Sequence, residues 1–201
     1  MHSWFRAAIP ATVELNPATA REDGDVTAPD DDAWSVRLLV DGFARVQESV
    51  RTAVDGLDPD ALAWRPSGSG NSIAWLVWHL TRVQDDHLAD AAGTEQLWTR
   101  DGWSRRFRLP FDDAETGYGQ ASSDVDSVRV GSGDLLRDYH DAVHDQTVRQ
   151  LRMWGEPALD QVVDEQWDPP VTLAVRLVSV LADDLAHAGQ AEYVRGLLPA
   201  D

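Results

Sequence analysis

The sequence predicts an all-α protein, a four-helix bundle. Three observations carry that prediction. Apolar residues recur at three- and four-residue steps over four long stretches. Gly- and Pro-rich segments punctuate the gaps between them. No stretch alternates with period two for long enough to predict a strand. Long helices joined by medium connections favour a bundle. The 201 residues suit one domain with an extension, and 43% hydrophobic against 26% charged residues suits a packed core.

Residues 1–33 are rich in Pro, Thr, Ala and Asp, with "DDD" at 30–32, and read as an irregular N-terminal arm. The bundle is expected over 34–201. Val36, Leu39, Val40, Phe43, Val46, Val50 and Val54 mark the first helix, from Trp34 to about Gly56. Asp31 or Asp32 is its expected cap. "DPDALAWRPSGSGN" is a loop in which Pro59–Ala63 has room for one helical turn. Asn71 or Ser72 caps the second helix, which runs to about Ala92 on a stripe of Ile73, Leu76, Val77, Leu80, Val83, Gln84, His87, Leu88 and Ala91. A connector over 93–131, with one or two helical turns, is long enough to be a functional insert. Ser132 or Asp134 opens a third helix to about Met153. After another turn and "WDPP" at 167–170, Thr172 caps a fourth helix to about Leu198.

Composition excludes several chemistries. The formal net charge is −18, and the one dense basic cluster, "SRRFR" at 104–108, is surrounded by acids. Nucleic-acid binding is not expected, because a backbone-binding face needs clustered cations. The absence of cysteine removes disulfides, protein thiolate nucleophiles and cysteine-based metal sites. All cations are arginine, which removes Schiff-base lysine chemistry. No apolar run approaches the ~20 residues of a membrane helix. "MHSWFRAAIPATVELNP" carries no evident cleavage site, so a cytoplasmic address is the default expectation.

The candidates for chemistry are histidines and acids. His79 lies in the apolar "SIAWLVWHL" and by itself reads as a core-edge histidine with one hydrogen bond. The fourth helix changes that reading. Asp183 and His187 stand four apart on one face of a mostly apolar helix, where a carboxylate is costly unless paired or metal-bound. One histidine from one helix and an acid-x3-His pair from another is a recurrent way to place a metal in a bundle. Such a set, with open positions, suits a divalent ion that also holds water or substrate. His140 and His144 form a competing pair, read as mostly solvated beside Asp141 and Asp145. His87 is expected to be a core or supporting residue, and His2 has no role. Arg176, seven before Asp183, is expected to pair with it or to bind an anionic substrate. Trp75 and Trp78 are expected to pack the bundle, and Trp98, Trp103 and Trp167 to fill core or wall a pocket. "GYGQ" at 117–120 lacks the helix start of a phosphate loop.

"NSIAWLVWHLTRVQDDHLAD" and "LADDLAHAGQAEYVRGLL" resemble the second and fourth helices of the DinB-like superfamily, also called YfiT-like or DinB–maleylpyruvate isomerase N-terminal. "LAWRP" and "EQLWTRDGWSRRFRLPF" are similar to an actinobacterial, mycothiol-transferase-like branch of it. The resemblance covers about residues 34–198. It implies up-down-down-up topology and a metal triad at His79, Asp183 and His187. Many members have histidine where this chain has Asp183, although an acid stands there in the mycothiol-dependent maleylpyruvate isomerases. Asp184 takes that place if the helix is rotated. Zinc is the first expectation for the metal, with nickel or manganese as alternatives.

The resemblance also implies a reaction class: S-transfer from a low-molecular-weight thiol, with mycothiol as cosubstrate and a small electrophile as second substrate. A metal-bound thiol has a lowered pKa and attacks as thiolate. Two alternatives stand beside it. One is a metal-dependent hydrolase with Asp184 or His87 as proton carrier. The other is a non-enzymatic, metal-binding, stress-associated protein. A homodimer is a further expectation, from the same resemblance.

Overall fold

The computed structural model describes residues 32–199. Most of the expected N-terminal arm, with His2, lies outside the described residues.

Four long helices form the body: α1 (Trp34–Val54), α3 (Ile73–Ala92), α7 (Gly133–Trp154) and α8 (Leu173–Gly196). Between them lie the short helices α2 (Pro59–Ala63), α4 (Leu97–Arg100), α5 (Trp103–Phe107) and α6 (Ser122–Ser127). Ser72, Ser132 and Thr172 cap α3, α7 and α8, each hydroxyl accepting the backbone N–H three residues on. The expected acidic cap of α1 is not used. Ala33 holds the cap position, and Asp32 instead pairs with Arg152 at 3.1 Å. A two-stranded antiparallel ribbon, β1 (Val162–Asp164) and β2 (Val171–Thr172), precedes α8. It is too short to leave a period-two pattern in the sequence.

Side-chain pairings fix the helix directions. Gly42 of α1 meets Leu181 of α8, and Arg195 of α8 donates to the carbonyls of Ala53 and Asp55, so these helices run parallel. A Cβ on Gly42 would lie 2.6 Å from Leu181 Cδ2, so the missing side chain permits this approach. Thr81 meets His140 and Gln84 meets Thr147, so α3 and α7 are parallel. Ser35 bonds Glu156 and Gln47 bonds Asp141, which sets α1 against α7 in opposite senses. His79 lies beside His187, and His87 beside Arg176, so α3 and α8 are antiparallel. Together these give up-down-down-up topology.

The core runs through the bundle on Phe43, Val46, Val50, Leu76, Leu80, Leu136, Tyr139 and Leu177. The segment between α3 and α7 folds back onto α3. Trp98, Trp103 and Phe107 gather around Tyr139, with ring centroids 5.1–5.6 Å apart. The Asp85 carboxylate accepts the N–H groups of Leu97 and Trp98 and the Tyr139 hydroxyl, which ties α4 to α3. Fully buried Arg82 donates to the carbonyls of Asp113 and Glu115 and to the Gln96 side chain. Among the described residues no helix is long and apolar enough to cross a membrane.

Candidate metal centre

α3 and α8 bring His79, Asp183 and His187 together. One ligand-type atom from each lies within 4.8 Å of the others. His79 is 6% exposed and sits where α3 passes beneath the connector. Its Nδ1 lies 2.5 Å from the Thr116 carbonyl oxygen. A carbonyl only accepts, so Nδ1 carries the hydrogen and Nε2 keeps a free lone pair. Trp75, one turn earlier, stacks on the ring at 4.6 Å and 18°. His187 stands edge-on to His79, with centroids 4.9 Å apart. Its Nδ1 lies 3.3 Å from Gln190 Oε1, and its Nε2 lies 3.6 Å from Asp183 Oδ1. Asp183 Oδ2 is shielded from solvent and has no hydrogen-bond partner.

This donor set fits a divalent cation. Two imidazoles have their Nδ1 atoms tied to oxygen acceptors, which is the arrangement that frees Nε2 for a metal and fixes the ring. The orphaned Asp183 carboxylate oxygen is costly without a cation or a donor. Burial pushes the His79 pKa down. The Thr116 bond opposes that shift, neighbouring His187 adds to it, and Asp183 opposes it. The ring is therefore neutral at physiological pH, the form that ligates.

Other candidates fall elsewhere. Asp184 is wholly buried and lies outside this cluster, and neither of its oxygens has a hydrogen-bond partner. Burial, reinforced by the charge of Asp183, holds its pKa well above the usual carboxylate range. Arg176 does not pair with Asp183. It bonds His87 at 3.2 Å, Asp90 at 3.1 Å and Asp164 at 3.3 Å. His87 thus supports a structural cluster, its pKa lowered by burial and by Arg176. His140 and His144 are buried, not solvated, at 0% and 8% exposure, because α7 packs against both α1 and α3. Trp98 and Trp103 are core residues, whereas Trp167 is half-exposed.

The sequence reading missed Thr116, Gly117, Gln120 and Gln190. Gln120 accepts a hydrogen bond from Trp75 Nε1 at 2.9 Å. The glycines of "TGYGQ" were the available signal, but they show only a turn, not what it touches.

Residues 38–200 match the family model described as Mycothiol-S-transferase. The chain belongs to that family. The family is DinB-like, and the observed topology agrees with it. Among solved structures, the protein is similar to a conserved protein of Enterococcus faecalis, at 29% identity and a TM-score of 0.75. The alignment covers 80% of this chain and 94% of that one. No curated protein matches.

Proposed function

We propose that the protein is a divalent-metal-dependent S-transferase that joins mycothiol to small electrophiles. The observation that carries this reading is the convergence of His79, Asp183 and His187, with one ligand-type atom of each within 4.8 Å of the others and one Asp183 carboxylate oxygen without a partner. Zinc fits a set of two imidazoles and one carboxylate with open positions, and nickel and manganese are the other ions to test. A cation held there favours the thiolate over the thiol at neutral pH. The chain has no cysteine of its own, which is compatible with a nucleophilic thiol supplied by the cosubstrate.

The protein's own residues supply position and shielding. His79 is buried and fixed between Trp75 and the connector, whereas Asp183 is 42% exposed in its side chain. A small thiol can therefore approach from the α8 side while the α3 side stays sealed. The thiol proton leaves to solvent on that open side. The sulfur lone pair then forms the S–C bond as the leaving group of the electrophile departs with its electron pair.

The test is conjugation of mycothiol to a panel of model electrophiles by metal-reconstituted protein, with chelator-treated protein as control. Thiol-dependent turnover that falls to background after chelation is expected. Turnover without added thiol would replace this reading with a hydrolase. No turnover across the panel by metal-loaded protein would contradict enzymatic S-transfer.

A further inference from the structure

We propose that the turn Thr116–Gln120 is the positioning element of the metal centre, and that residue 117 must be glycine because its backbone lies against the His79 ring. The inference rests on the reading of His79 as a ligand and names what holds it.

Four observations support it. The Thr116 carbonyl is the hydrogen-bond partner that assigns the hydrogen to His79 Nδ1. Gly117 follows at φ +94°, a backbone conformation that L side chains rarely adopt. A Cβ there would lie 2.7 Å from His79 Nδ1, closer than carbon tolerates, and 3.0 Å from Trp78 Cζ3, a tight contact. Gln120 ties the turn to Trp75, the ring that stacks on His79. The turn is itself clamped at both ends by buried arginines. Arg82 holds the carbonyls of Asp113 and Glu115, and Arg65 holds the carbonyl and hydroxyl of Ser122.

A purely structural role would make the turn indifferent to the metal. Gly119 provides the control. It shares the turn and a positive φ of +72°, yet a Cβ on it meets nothing within 4 Å. Gly117→Ala and Gly119→Ala both put a side chain on a positive-φ residue, and only the first also meets His79.

The experiment measures Zn²⁺ affinity by competition calorimetry on full-length wild type, Gly117→Ala, Gly119→Ala and Gln120→Ala, with thermal melts of the metal-free proteins alongside. Long-range ¹H–¹⁵N spectra of metal-free wild type read the His79 tautomer. Displacing an outer hydrogen-bond partner of a ligating histidine weakens metal binding by roughly 10–100-fold, so that loss is expected for Gly117→Ala. Gly119→Ala is expected to bind as wild type does, and Gln120→Ala to fall between them. The wild-type ring is expected as the Nδ1–H tautomer. Equal affinities for Gly117→Ala and Gly119→Ala, or an Nε2–H tautomer in wild type, would overturn the proposal. If Gly117→Ala does not fold, Gln120→Ala and the wild-type tautomer decide. If wild type takes up no Zn²⁺, the metal reading fails, and the tautomer still decides whether the turn fixes His79.

Discussion

Two histidine pairs sit in this bundle with contrasting surroundings. His79 and His187 face each other across α3 and α8, whereas His140 and His144 stand one turn apart on α7. His79 and His140 share more than residue type. Both are buried, and both have Nδ1 bonded to oxygen, His79 to the Thr116 carbonyl and His140 to the Thr81 hydroxyl at 3.1 Å. The Thr81 hydroxyl already donates to the Val77 carbonyl at 2.7 Å, so it accepts from His140. Each ring thus presents a free Nε2. What lies opposite differs. His79 meets a second imidazole and a carboxylate at a solvent-reached edge. His140 Nε2 is sealed in the core without a partner. The i,i+4 spacing alone is therefore not enough to mark a ligand pair. Convergence of donors from two helices, with an open side, is.

The largest expected effect that sharpens this contrast is acid sensitivity. Burial foremost, with His144 and Arg51 adding to it and Asp141 opposing them, lowers the His140 pKa from its ordinary 6.5 to about 3. Between those values the unfolded chain binds a proton that the native state refuses. Stability is complete above pH 6.5 and falls as pH drops toward 3, by about 1.4 kcal/mol per pH unit for this group. Urea unfolding of wild type and His140→Phe over that window should show a slope shallower by that amount in the variant. Equal slopes would break the account of the buried pair.

Next in size is the cost of deletion in metal-free protein. His140→Ala leaves a cavity in a sealed core and should cost about 3 kcal/mol, whereas His187→Ala at the bundle edge should cost about 0.5 kcal/mol. Chemical denaturation of the two variants compares them directly, and a reversed order would contradict the contrast. Smaller still is Thr81→Val. It removes the acceptor of His140 Nδ1–H and should cost about 1 kcal/mol without altering metal uptake.

The contrast also explains what the sequence made legible. Ser72, Ser132 and Thr172 are local signals, so the starts of α3, α7 and α8 could be read. Asp183 and His187 could be read because their spacing is local and the flanking apolar residues make a carboxylate there conspicuous. His140 and His144 were misjudged because a helical projection gives a single buried arc. α7 is pressed on two sides, and Asp141 turns to Gln47 and Arg51 instead of to open solvent. Arg176 was misplaced because its partners Asp90 and Asp164 lie on other elements. The Thr116 contact spans 37 residues and uses a backbone carbonyl, which no side-chain pattern encodes.

The most direct test of the central claim is metal content by elemental mass spectrometry. Wild type, His79→Ala, His187→Ala and His140→Phe would be purified without a histidine tag or chelator. The account predicts about one equivalent of a divalent transition metal in wild type and in His140→Phe, and its loss in His79→Ala and His187→Ala. A wild type that holds no metal even after reconstitution, or a His79→Ala protein that holds as much as wild type, would contradict it.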